Sequence, residues 1–306
     1  MKHLHFIKRG GWKGKQARSI WRMAIIWKRR ATYCVYLTGG RKAGLLLTAA
    51  IFLLCHNGIF GRSLHPKVPP YPEFKVLILY SNTVEPDHVD FKRTAIAFFN
   101  GLQEGREFDM DTSADMETLC TKRLSDYSLI IMLNDFPHTE QQRIAFQQYM
   151  EKGGGWLGFH VAGYNDASTH WPWLVHFLGG AVFDANSWPP VPAKLVVEAQ
   201  GHPVTRTLPS TFISPSNEWY RWKPSPRLDS NVQVLVSLSD ENYPLGLKDI
   251  LRRGDNPVVW TNKAYRMVYI NMGHGGAIFT DATQNRLIIN AFRWLVSRDP
   301  KGNVFK

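Results

Sequence analysis

Three apolar runs of strand length, Lys75 to Tyr80, Tyr127 to Leu133 and Trp156 to His160, carry almost no polar residue on either face. A strand that is apolar on both faces must be covered on both, which is the condition of a strand inside a parallel sheet with helices above and below. The intervening segments have the matching character. Asp90 to Leu102 has helical spacing, and Phe108 to Thr112 reads as a short strand. Thr139 followed by Gln142 is a capping-box signature, opening a helix that runs to Lys152 and is ended by Gly153, Gly154 and Gly155. Strands alternating with helices predict an α/β chain: a doubly wound, mostly parallel sheet with helices on both faces.

The second half is less regular. Strands are expected at Lys194 to Val197, Val232 to Ser237, Val258 to Thr261 and Val268 to Met272. A terminal helix follows from Asp281 to Leu295, capped by Asp281 or Thr280, with Leu287, Ile288, Ala291, Trp294 and Leu295 on one face. Neither an internal repeat nor a second boundary interrupts this stretch, so residues 73–298 are expected to form one domain, with 299–306 as a tail.

The formal charge of +12 would suggest a nucleic-acid binder if it were spread over the domain. It is not. Residues 1–42 hold twelve Lys and Arg and no acidic residue, leaving 25 basic against 25 acidic residues in the rest. A neutral domain lacks the electrostatic footprint that a phosphate backbone requires, so no nucleic-acid partner is expected. The uncharged run from Ala43 to Gly61 behind this basic flank has the pattern of a signal peptide or short signal anchor. Residues 1–61 are therefore read as a basic region plus a signal or anchor segment, with Met23 as an alternative start. Residues 62–72, with four prolines, form a stiff spacer. The expected location is the cell envelope, exported or membrane-anchored, with the domain outside the cytoplasm. Cys34 and Cys55 fall in the leader, so Cys120 is alone in the domain and no disulfide can form within it.

In open parallel sheets ligands bind beyond the carboxyl ends of the strands, and polar residues closing apolar strands are the ones to inspect. His160 ends the run Gly158-Phe159 and is followed by Val161-Ala162-Gly163, small residues that permit a sharp, elbow-like turn. His274 closes a later strand among Gly273, Gly275 and Gly276. His202 and Glu218 come from connecting loops. Trp171, Trp173, Trp188, Trp219, Tyr220 and Trp222 crowd one part of the sequence, and aromatic faces suit sugar rings as well as cores.

The glycine-rich Gly153 to Gly163 stretch, His202-Pro203 with Leu208 and Phe212 behind it, Glu218-Trp219-Tyr220, Pro257-Val258-Val259-Trp260 and Gly273-His274 stand in an order that resembles the trehalose-utilisation, or ThuA-like, family. The resemblance spans about residues 74 to 297. It implies a flavodoxin-like sheet related to class I glutamine amidotransferases and an association with carbohydrate metabolism. Two positions depart from the related patterns. An amidotransferase carries cysteine at the elbow where this chain has His160, which argues against thiolate acyl transfer. The family usually has Asp where this chain has Asn217, so Glu218 is the carboxylate that remains.

These readings give an expected function: action on a carbohydrate or glycoside derivative by histidine general acid/base chemistry. His160, His274 and Glu218 are the catalytic residues, and His202, Trp219 and Tyr220 bind substrate. His160 and His274 are expected on neighbouring strand ends, facing one crevice that His202 and Glu218 reach from loops. Two alternatives stay open. The same three histidines and carboxylate could hold a divalent metal such as zinc for a hydrolase, although no compact His-x-x-x-His spacing supports it and no residue is assigned as a ligand. A non-catalytic sugar-binding or scaffold domain at the membrane is the other.

Overall fold

The computed structural model describes residues 74–103, 108–242 and 254–297. The leader, the proline-rich spacer and the tail lie outside these residues. Among the described residues no helix is long and apolar enough to cross a membrane, and the run from Ala43 to Gly61 is not among them.

The chain alternates in its first half: β1 (Phe74–Leu79), α1 (Pro86–Gln103), β2 (Phe108–Ser113), the short α2 (Thr118–Thr121), β3 (Leu129–Met132), α3 (Glu140–Glu151) and β4 (Gly155–Phe159). The second half runs α4 (Pro172–Phe177), β5 (Phe183–Asn186), β6 (Val191–Val197), β7 (Thr211–Asn217), β8 (Tyr220–Trp222), β9 (Val232–Leu238), β10 (Pro257–Asn262), β11 (Arg266–Ile270) and α5 (Ala282–Val296). Nine strands make one sheet in the order β2-β1-β3-β4-β11-β10-β9-β6-β7, and β5 with β8 make a small second one.

The first five positions of that order are parallel throughout, with β11 as the fifth strand. This is the flavodoxin-like 2-1-3-4-5 arrangement. Alternate residues explain why its strands read as apolar on both sides. Val76 and Ile78 of β1 join one core with Phe91 and Phe99 of α1 and Leu287 and Ala291 of α5. Leu77 and Leu79 join the opposite core with Phe146 of α3 and Phe177 of α4. Helices thus cover both faces. Beyond β11 the sheet continues through four antiparallel strands, β10, β9, β6 and β7, an extension that the sequence reading did not separate from the parallel half.

Local signals hold where they were strongest. The Thr139–Gln142 capping box is present in both directions, and Asp281 caps α5 by accepting from the Gln284 N–H at 2.7 Å. α1 starts one turn earlier than its apolar spacing suggests. Pro86 occupies its first position, where a missing N–H costs nothing, with Asp87 in the first turn. β5, β7 and β8 were not expected. β7 contains Pro215, and β5 and β8 are only four and three residues long with mixed polarity, too little for a period to show.

Candidate functional site

His160 leaves β4 with a left-handed backbone, φ 44°, which turns the chain sharply into a 3-10 turn instead of letting it continue. That strain is held from below. The Tyr269 hydroxyl donates to the His160 carbonyl at 3.0 Å, and Tyr220 stacks under the imidazole with ring centres 4.1 Å apart. β11 lies beside β4 in register, Ile270 opposite Phe159, so the segment after β11 runs past His160. Gly273 is required there: a Cβ at that position would come 2.4 Å from the His160 Cβ.

Asn217 and Asn271 fix the remaining pieces. The Asn217 Oδ1 accepts from the backbone N–H groups of Gly273 and His274, both at 3.0 Å, while its Nδ2 donates to the Glu218 carbonyl at 2.7 Å. An aspartate could accept the first two bonds but not supply the third. Asn271 receives the Tyr220 N–H on its side chain, and its carbonyl lies 2.7 Å from His160 Nδ1. At the end of β3, Asn134 donates to the carbonyls of Ser81 and His88 and accepts from the Ser81 N–H, which sets the first turn of α1.

Four side chains converge on this frame: His88 from α1, His160 from β4, Glu218 between β7 and β8, and His274 after β11. One ligand-capable atom of each lies within 4.8 Å of all the others, and all four residues are buried. The hydrogen bonds determine which ring atoms face inward. A carbonyl can only accept, so His160 Nδ1 carries its proton toward Asn271, and Nε2 turns its lone pair to Glu218 Oε2 at 3.1 Å. His274 Nε2 donates to the Asp87 carboxylate at 3.1 Å. Its Nδ1 then faces Glu218 Oε2 at 3.3 Å and His88 Nε2 at 3.0 Å. The outer His88 nitrogen, Nδ1, lies 3.8 Å from Glu85. Asn186 donates to the other Glu218 oxygen, Oε1.

Charge follows from this packing. Burial, reinforced by the neighbouring imidazoles, pushes His88 down to about 3. Burial also lowers His160 against the pull of Glu218. Burial opposes ionisation of Glu218, but its contacts with His160 and His274, which favour the ionised carboxylate wherever a ring holds an inward proton, outweigh it and bring the carboxyl to about 2. Burial works against protonated His274 too, yet its bond to Glu218 and the surrounding carboxylates raise it overall. Inward lone pairs and an ionised carboxylate in a dry site repel one another unless a cation lies among them. That cation is either a proton, held most readily by His274, or a metal ion. Three imidazoles and one carboxylate are a donor set for zinc and related divalent ions, and outward ring N–H groups bound to oxygen acceptors are the usual support of metal-binding histidines.

Three of the four residues expected to meet therefore do: His160, Glu218 and His274. His202 does not. Its ring packs 5.0 Å from that of Trp294, its Nδ1 accepts from the Val204 N–H at 3.2 Å, and burial depresses it to about 4. Trp219 is fully buried and its indole N–H is taken by the Val191 carbonyl, so it wedges Glu218 in place and offers no face to a ligand. Tyr220 underlies His160 and is likewise buried. His88 replaces His202 as the third imidazole. The signal that could have found it was Pro86, which moves the helix start back a turn and puts His88 at the sheet's carboxyl edge. Cys120 is exposed and outside the cluster.

Comparisons with known proteins agree with this architecture. The family model for ThuA, trehalose utilisation, matches residues 75–295. A ThuA-like protein from Bacteroides uniformis is 53% identical, with a TM-score of 0.73 over 75% of this chain and 94% of that one. A second, from Parabacteroides merdae, shares the fold at 18% identity, with a TM-score of 0.51 over 74% of this chain and 90% of that one. No curated protein matches.

Proposed function

Because the chain belongs to the ThuA, or trehalose-utilisation, family, we propose that it is an enzyme acting on a carbohydrate or glycoside derivative, with its chemistry centred on His88, His160, Glu218 and His274 and a divalent ion, zinc by donor type, held among them. The observation that carries this reading is the set of inward ring nitrogens and Glu218 Oε2 within 4.8 Å, each outward nitrogen facing an oxygen acceptor. A bound divalent ion supplies Lewis acidity toward a carbonyl, hydroxyl or water oxygen. The chain's own residues do the rest. Asn271 and Asp87 hold His160 and His274 in one tautomer each. Asn186 anchors Glu218 through Oε1 and leaves Oε2 for the centre. Asp87, half exposed beside His274, is placed to take a proton from a substrate hydroxyl.

A second reading, general acid/base catalysis without metal, is favoured by the raised His274 and its contact with Asp87. Metal analysis of the purified full-length protein, with zinc titration calorimetry, separates the two. Retention of one ion per chain, lost in His88→Ala and kept in His202→Ala, is the expected result. Absence of both bound metal and binding heat would refute the metal centre and leave the His274–Asp87 pair as the acid/base. Activity is to be sought against glycosides and oxidised sugars with metal content followed in parallel.

We also propose a cell-envelope location, exported or anchored through the basic leader and the run Ala43 to Gly61. A reporter fused after residue 72 should be protease-accessible from outside the cytoplasmic membrane, and a reporter that stayed cytoplasmic would refute it.

A further inference from the structure

Of the six Trp and Tyr residues between 171 and 222, Trp171, Trp219, Tyr220 and Trp222 are buried and Trp173 is partly so. Trp188 differs: it is 39% exposed. It is also the one of the six whose ring meets His274, edge to face at 6.2 Å. The position is built from the same segment that holds Glu218. Asn186 donates to the Glu218 carboxylate, the Ser187 N–H donates to the Trp219 carbonyl at 2.9 Å, and the Trp219 N–H returns to Ser187 Oγ at 3.0 Å. Pro189 and Pro190 follow directly, so the chain has little freedom on the other side. The same histidines carry half-exposed carboxylates: Asp87 lies 3.1 Å from His274 and Glu85 3.8 Å from His88, with side chains 49% and 48% exposed. An exposed indole and half-exposed carboxylate acceptors beside one buried polar centre fit one class of small molecule: a ring with apolar C–H faces and hydroxyls around its edge.

We propose that Trp188 is the substrate-stacking platform of this site, and that the ligand it takes is a neutral pyranose ring, laid by one C–H face on the indole with its hydroxyls directed to Glu85, Asp87 and the histidine cluster. The inference rests on the carbohydrate reading of the family but not on the metal. The two rim carboxylates disfavour phosphorylated sugars, and the hydrogen bonds holding residues 186 and 187 lower the ordering cost of presenting the plate.

Saturation-transfer NMR on the full-length protein, with α,α-trehalose and methyl α-D-glucopyranoside as probes and D-glucose 6-phosphate as the anionic control, tests it on zinc-loaded and EDTA-treated samples. Transfer to ring C–H protons of one sugar face is expected from wild type and Trp188→Phe. It should fall by about tenfold in Trp188→Ala and equally in Trp188→Leu, which keeps apolar bulk without an aromatic face. Unchanged transfer in both of these variants, transfer to the phosphate ester as strong as to the glucoside, or no transfer to either neutral sugar from wild type would overturn the proposal. Because the signal is read with and without zinc, a failed metal titration leaves the sugar result standing, and the reverse.

Discussion

Gly273→Ala tests whether the β11 segment truly passes against His160. The added Cβ would stand 2.4 Å from the His160 Cβ, with the His160 backbone N 3.5 Å away. Ordinary carbon–carbon contact begins near about 3.5 Å, so one side must yield by about 1 Å. Neither side has room. His160 is pinned by Tyr269, Asn271 and Tyr220, and Gly273 by Asn217. Gly273 itself has no left-handed φ, so crowding is the whole effect. Overpacking of this kind costs about 1–3 kcal/mol, and a domain this size loses about 2–4 °C of Tm per kcal/mol, giving a drop of about 2–12 °C. A metal centre tolerates about 0.2 Å in ligand distance, so zinc affinity should fall by at least about tenfold as well. Scanning calorimetry and zinc titration of the same preparation measure the two effects. Gly276→Ala, three residues on, is the control: its Cβ would meet the Thr94 methyl at 3.5 Å and the Asp90 carbonyl oxygen at 4.0 Å, both ordinary contacts, and it should melt within about 0.5 kcal/mol of wild type. If Gly273→Ala matched that control in both assays, the close approach would be wrong and the cluster would lose its frame.

Asn217→Asp keeps two acceptor bonds but sets a carboxylate oxygen against the Glu218 carbonyl where an N–H now donates at 2.7 Å; a loss of about 1–3 kcal/mol in urea unfolding is expected, and none would show the amide to be dispensable. Glu198 is clamped by Arg227 at 2.7 and 2.8 Å; burial raises its carboxyl, but the Arg227 and Ser237 bonds prevail and hold it below its ordinary value. A carboxylate lowered in the folded state contributes stability that is complete above its unfolded pKa, about 4.3, and lost as pH falls through the folded value, so the urea-midpoint gap between wild type and Arg227→Met should narrow below about pH 4. A gap that widened in acid would reverse the assignment. Cys120→Ser should change neither zinc binding nor sugar binding, with stability within about 0.5 kcal/mol, because the thiol is exposed and outside the cluster; an inactive but folded variant would move the chemistry elsewhere.

The parallel half was legible because burial on both faces leaves a mark on composition: β1, β3 and β4 were found within two residues of their ends, and the caps of α3 and α5 by side-chain chemistry. The antiparallel extension was only partly visible, since β7 alternates irregularly and carries Pro215. At the site, His160 and His274 were marked by their places at strand ends, and Glu218 by the carboxylate remaining beside Asn217. What could not be read was company. His88 and His274 touch across 186 residues of sequence, and no spacing rule links them. His202, with its suggestive His-Pro setting, instead packs on Trp294, because a loop histidine is placed by tertiary contacts that the sequence does not display. The aromatic crowd misled in the same way: the residues adjoining Glu218 are buried supports, and Trp188, well upstream of it, is the exposed one.

The place of β11 has a consequence for synthesis. It is the last strand in the described chain yet sits in the middle of the sheet, between β4 and β10. Until residue 270 has emerged, β4 and β10 each present an unpaired inner edge lined with apolar side chains, the surface most prone to misdirected pairing. Nascent chains cut short before that point should therefore depend on holding factors however complete their other strands. The segment after this late strand also brings Asn271, Gly273 and His274 with it, so a chain that ends before residue 274 lacks one member of the cluster. Completion of the sheet and assembly of the four-residue cluster therefore end together.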